Sequence, residues 1–273
     1  MSVLHVHELG DRSGAPLLAV HGVRAHGRRF RRLAEEAWPE RRTIAVDLRG
    51  HGRSTYDAPW SIEQHVIDLI DTLDAAGVGS GSDPEAVDVV GHSYGGVIAL
   101  HLLALHPERV RRLVLLDPAP ALPGERGSRE ALATIADPGW ATVEEATAAR
   151  AAGLLPGTEA AVAEDIAEHL VEGDDGRFRF RCHKPAVVTG WGELCRPLPP
   201  IASPRPTLLV IAARADFVSA DVVAELHSML DPHLTVTTLD SGHMLYWDRF
   251  DETVAAVNEF LRAENAGVAF LAR

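Results

Sequence analysis

Residues 87–100, VDVVGHSYGGVIAL, decide how the rest of the chain is read. A β-branched run stops at Gly91, and an apolar pattern of helical period begins after Gly95. Between them Gly91-His92-Ser93-Tyr94-Gly95 matches G-x-S-x-G, a turn so sharp that only small residues fit at its two ends. A hydroxyl at that point stands above a sheet at a helix N-terminus, where free N–H groups favour developing negative charge. A helix-capping serine after a buried strand is the plain alternative. Partners elsewhere in the chain must separate the two readings.

The surrounding segments supply the architecture. Short apolar, β-branched runs at 16–22, 43–50, 86–92 and 111–118 read as strands. They alternate with segments of helical period at 27–38, 61–78 and 93–106. In the second of these, Ile62, Val66, Leu69, Ile70 and Leu73 form one stripe behind Ser61 as N-cap. Near-continuous apolar strands between amphipathic helices imply a parallel sheet covered on both faces, an α/β fold.

The pattern changes at Pro118. The excursion from 118 to 200 is rich in Ala and Glu and is too long for a structureless loop, so it reads as a mostly helical insertion with helices near 128–136, 142–152 and 158–172. Alternation then resumes with a strand at 206–213, a helix at 219–230, a strand at 233–240 and a closing helix over 245–263. The expected division is therefore a core of residues 1–117 and 201–273 and an insertion of 118–200.

A serine hydroxyl needs a base, and the base an orienting carboxylate. Of the 14 histidines, His243 fits best, in the loop Asp240-Ser241-Gly242 after a strand. Asp216, in the loop Arg214-Ala215-Asp216 after the preceding strand, is the expected acid. The chain order nucleophile, acid, histidine is that of this motif class. An oxyanion site needs two backbone N–H groups; Tyr94, directly after the serine, and Val23, after His21-Gly22, are placed to provide them.

Composition narrows the possible partners. The net charge is −13, which disfavours nucleic acid and anionic lipid. The basic run RRFRR (28–32) reads as the solvated face of a helix that buries Phe30, Leu33, Ala37 and Trp38. The 2 cysteines, Cys182 and Cys195, form neither a CxxC pair nor a zinc-like set. The first ten residues lack a signal-peptide pattern and no apolar run has membrane-spanning length, so the expectation is a soluble, reduced, cytoplasmic protein.

Taken together, HG (21–22), DLRGHGRS (47–54), GHSYGG (91–96), PTLLVIAARADFV (206–218) and DSGHML (240–245) resemble the α/β-hydrolase superfamily, in its compact bacterial form with a helical cap. The resemblance spans essentially the whole chain. It implies an eight-stranded, mostly parallel sheet, a cap inserted after the sixth strand, and neither cofactor nor metal. Because the segment before residue 16 is short, the first antiparallel strands are expected to be abbreviated. Some members carry the acid at the end of the strand after the nucleophile, which here is Asp117. Pro118 after it reads instead as a turn into the cap.

The activity implied is acyl transfer on a small carboxylic ester or lactone through an acyl-enzyme on Ser93. The alternatives are C–C bond cleavage of a vinylogous diketone acid, or a ligand-binding or signalling protein on the same scaffold. The expected partner is a small-molecule substrate, with the chain a monomer or homodimer; the tail GVAFLAR (267–273) could pack on its own sheet or on a neighbour. Candidate substrate contacts are Arg24, His26, His92, Trp140, His183 and Trp191. Their plainer readings are solvation for Arg24 and His26, support of the turn for His92, and pinning of cap helices for the tryptophans. Asp47 reads as the fixture of the tight glycine turn.

Overall fold

The computed structural model describes residues 3–79 and 86–262; the tail 267–273 lies outside them. Seven strands form the main sheet: β1 (Val6–Gly10), β2 (Pro16–Val20), β3 (Arg42–Val46), β4 (Val87–His92), β5 (Val110–Leu116), β8 (Thr207–Ala212) and β9 (Leu234–Leu239). Their order is β1-β3-β2-β4-β5-β8-β9, with β1 antiparallel to β3 and every other pair parallel. The expected eight strands are thus seven among the described residues. The short N-terminal segment provides one antiparallel strand, β1, and the excursion leaves the sheet after its fifth strand.

Alternation along each strand assigns side chains to two cores. Leu18, Val20, Val87, Val89, Leu113 and Leu115 face α1 (Ile62–Ala75), α2 (Tyr94–Leu105) and α7 (Ala220–Leu230). Leu17, Ala19, Val90, Val114, Leu116 and Val210 face Phe30, Trp38, Leu245, Tyr246 and α9 (Phe250–Arg262). Ser61 caps α1 by accepting from the Gln64 amide at 3.3 Å. The closing helix is broken: α8 (Leu245–Asp248) ends one residue before α9 begins. Residues 27–38 form two short helical turns, not one α-helix.

Between the neighbouring strands β5 and β8 the chain runs through α3 (Gly124–Ala136), α4 (Val143–Ala151), α5 (Glu159–His169), a small hairpin of β6 (Leu170–Glu172) and β7 (Phe178–Phe180), and α6 (Lys184–Glu193). This segment has its own small core of Ala146, Val162 and Ile166, packed against Trp140, Phe180 and Trp247. The hairpin and α6 are absent from the sequence reading because their segment, GRFRFRCHKPAVV, mixes periods. Pro185 in the first turn of α6 is the available signal. No helix among the described residues is long and apolar enough to cross a membrane.

Candidate active site

The site is built at the C-terminal ends of three adjacent parallel strands. Leaving β2, β4 and β5, the backbone enters the left-handed region at Arg24 (φ 57°), Ser93 (φ 55°) and Asp117 (φ 41°). None of the three is glycine, and such strain persists only where surrounding packing fixes it. Around Ser93 that packing is explicit. A Cβ on Gly95 would stand 2.1 Å from the Val20 carbonyl oxygen, and one on Gly91 would stand 2.5 Å from the Gly95 carbonyl oxygen. The Ser93 amide donates to the Leu116 carbonyl at 3.1 Å, tying the turn to the end of β5.

The carboxylate on His243 is Asp117, which corrects the expectation that Asp216 fills this place. His243 Nδ1 lies 2.6 Å from Asp117 Oδ2. Asp117 is fully buried, its amide donates to the Val210 carbonyl at 2.8 Å, and its Oδ1 accepts from the Ala212 amide at 3.1 Å. Asp216 lies beyond the end of β8 with its side chain 86% exposed, ion-paired to Arg126 at 2.9 Å. The neighbouring strands explain the difference. Leu116 is in register with Val210, so the residue after Leu116 meets the backbone of β8 and stays covered. Asp216 has left the sheet.

His243 is held on other sides too. Its carbonyl accepts from His92 Nε2 at 2.9 Å, and the Phe217 ring lies 4.1 Å from its ring, centroid to centroid. Arg126 in turn stacks over Phe217. His92 is buried, and burial, with His243 adding to it, holds its pKa well below the ordinary value, so it supports the loop as a neutral imidazole. Phe217 stands in the motif ARADFV, directly after Asp216, and an aromatic at that place is its only signal in the sequence.

Two backbone amides beside the Ser93 turn have no acceptor. The N–H groups of Val23 and Tyr94 donate to no acceptor among the described residues, nor does Ser93 Oγ have a hydrogen-bond partner there. The Val23 loop is fixed against the Ser93 turn, since a Cβ on Gly22 would stand 2.9 Å from Ser93 Cβ. α6 closes over it: a Cβ on Gly190 would contact Val23 Cγ2 and the Tyr94 ring.

The remaining candidates divide. Arg24 is ion-paired with Asp137 of the insertion at 3.0 Å. His26 is buried and bonded to Asp165 at 2.9 Å, so it is not a solvated loop residue. Trp140 pairs by backbone with Phe178 and packs edge-on against Phe180, within the small core of the insertion. Trp191 packs against the main core with its Nε1 buried and unpartnered. His183 precedes α6, its amide bonded to the Gly50 carbonyl, with Tyr56 and Trp60 beside its ring. Asp47 takes up the backbone amides of Gly27 and Arg53 and the ring of His7. His5, His7 and Asp47 bring three potential metal ligands within 4.8 Å, but these bonds already occupy both oxygens of Asp47.

Sequence reasoning missed a buried charge cluster. Arg29, expected on a solvated face, is buried and donates to both oxygens of Asp165 at 2.6 and 2.8 Å. Arg150 of α4 donates to the same carboxylate at 2.8 Å. Asp165 lay among the Ala and Glu of α5 with nothing in the pattern to mark it.

The profile described as "Alpha/beta hydrolase family" matches residues 17–256. Lipase LipV of Mycobacterium tuberculosis is 38% identical over 261 residues, 94% of this chain and 97% of that protein. A 2-hydroxymuconate semialdehyde hydrolase of a Pseudomonas strain is 39% identical over 121 residues, 42% of this chain and 40% of that one. Among solved structures, an E-2-(acetamidomethylene)succinate hydrolase superposes with a TM-score of 0.81 at 22% identity, covering 95% of each chain.

Proposed function

Since the chain belongs to the α/β-hydrolase family, we propose that it is a serine hydrolase that cleaves a small carboxylic ester or lactone through an acyl-enzyme on Ser93. The observation that carries this reading is the 2.6 Å bond from His243 Nδ1 to buried Asp117, made at the strand end next to the serine turn. With Nδ1 donating to the carboxylate, Nε2 is left as the base, and the buried charge of Asp117 stabilises the imidazolium formed in the reaction. His243 takes the proton of Ser93 as Oγ attacks the carbonyl carbon. The amides of Val23 and Tyr94 receive the oxyanion. His243 then protonates the leaving alcohol, and water activated by the same imidazole releases the acid.

Residues 118–200 act as a cap over this centre, a role supported by α6 lying against Val23 and Tyr94. We read the enzyme as cytoplasmic, a monomer or homodimer acting on a small molecule without a cofactor. The similarity to a lipase over nearly the full chain favours an ester. A second reading, C–C bond cleavage in a diketone acid, is favoured by the partial similarity to 2-hydroxymuconate semialdehyde hydrolase.

A fluorophosphonate probe tests the nucleophile. Wild-type protein is expected to be labelled and Ser93→Ala to be inert, with ester and lactone turnover lost in the same variant. Labelling that survives the substitution refutes the proposal. Failure on every ester, alongside turnover of a ring-cleavage diketone acid, selects the second reading.

A further inference from the structure

A cavity of about 260 Å³ lies between the Val23 loop and the insertion, lined by Val23, Arg24, Arg29, Trp140, Arg150 and Phe180. It adjoins the site at two points. Val23 is the proposed oxyanion donor, and Arg150 Nη2 reaches to 4.0 Å from the sulfur of Met244, the residue after His243. Trp247, on the next helical turn, lies beneath the guanidiniums of both Arg29 and Arg150.

Its charges do not balance. Three guanidiniums line the cavity, and two carboxylates answer them. Asp137 pairs with Arg24, while Asp165 alone serves both Arg29 and Arg150. His26, the third partner of Asp165, adds no charge near neutral pH, because burial lowers its pKa. Arg29 and the carboxylate of Asp165 are almost wholly buried, and the Arg150 side chain is only 18% exposed. Burial, with repulsion from Arg29, pushes the pKa of Arg150 down to about 10. A cation desolvated to this degree beside another is costly unless an anion completes it. Among the described residues no acceptor is bonded to Nη1 of Arg29 or of Arg150. The apolar part of the lining, Trp140 and Phe180, fits a short hydrocarbon linker.

We propose that this cavity binds an ionised carboxylate of the substrate, so that the enzyme selects esters carrying a second, free carboxyl group. The inference rests on the hydrolase reading above and deepens it. Water supplies the hydroxyl to the acyl carbon, the alcohol leaves, and the distant carboxylate is unchanged by the reaction. Guanidiniums suit that group because they stay charged at neutral pH and carry several donors, of which Nη1 of Arg29 and Nη1 of Arg150 are still free to donate.

The test compares monoethyl succinate, glutarate and adipate with the matched diethyl esters, followed by acid release. Wild-type kcat/KM is expected to favour one monoethyl ester over its diethyl counterpart by at least about tenfold. Arg150→Gln and Arg24→Gln are each expected to cut that ratio by about tenfold, mainly through KM, and Arg150→Lys to recover part of it. A second measurement is independent of turnover: calorimetry of Ser93→Ala with the free dicarboxylates. One-to-one binding is expected there, weakened when Arg150→Gln is added. Preference for the neutral diesters, a ratio unmoved by both arginine variants, or absence of dicarboxylate binding overturns the proposal. Dicarboxylate binding without hydrolysis of any ester supports the anion site and rejects the hydrolase reading instead.

Discussion

Two aspartates, Asp117 after β5 and Asp216 after β8, stand at the same end of the sheet in very different conditions. Asp117 is fully buried, strained at φ 41°, and bonded to His243 and the Ala212 amide. Asp216 is open to solvent and pairs with Arg126 at the surface. Both follow apolar strands in sequence, so the difference lies in what the neighbouring strand covers. A carboxylate orients a base when it is desolvated and its lone pairs are used, and only one of these two meets that condition.

The largest expected effect that could break this contrast is on turnover. Asp117→Asn leaves the shape intact but offers an amide where the imidazole needs an acceptor. On the hydrolase reading kcat falls by about 10³- to 10⁴-fold. Asp216→Asn is expected to stay within about twofold, because an exposed ion pair adds little. A large loss in the second variant would reverse the assignment, and the ester assay checks both.

Stability gives a smaller version of the same contrast. Asp117→Ala strips a buried acceptor from the Ala212 amide and from His243, and about 1–3 kcal/mol of unfolding free energy should be lost. Arg126→Ala, which releases Asp216, is expected to change stability by no more than about 1 kcal/mol through the ion pair. Urea unfolding of the two variants decides it. Equal losses would mean that burial does not distinguish the two sites.

Burial also sets a pH dependence. His51 and His65 are buried, and desolvation lowers their pKa values from 6.5 to about 4 and about 3. Above 6.5 both are neutral folded or unfolded and add no slope. As pH falls below 6.5 the unfolded chain takes up protons that the folded chain refuses, so stability declines. Each such histidine contributes a loss of up to about 1.4 kcal/mol per pH unit. His65→Phe, keeping a ring against Tyr94, should flatten the decline between pH 6 and 4 in thermal melts. An unchanged slope would show that His65 does not carry it.

Much of this molecule was legible in its sequence. The strand–turn–helix at 87–100 and the alternation of apolar strands with helices gave the sheet, because a period of two and a period near four are local properties. The place of His243, in a short loop between a strand and a helix, was legible for the same reason. Asp117 was visible only as a rival. What promotes it is the pairing of β5 with β8, strands separated by the whole insertion, and no local pattern records which strand covers which. The cluster of Arg29, Arg150 and Asp165 was hidden likewise: its members lie on three segments and each looks like a surface residue on its own.

The orientation of His243 turns on its Nδ1 proton, which faces Asp117 Oδ2 at 2.6 Å. Proton NMR of nitrogen-15-labelled protein, with the resonance assigned through His243→Gln, reads that proton directly. A far-downfield Nδ1 proton is expected, retained in Asp216→Asn and lost in Asp117→Asn. A signal that survives Asp117→Asn and is lost in Asp216→Asn would contradict it.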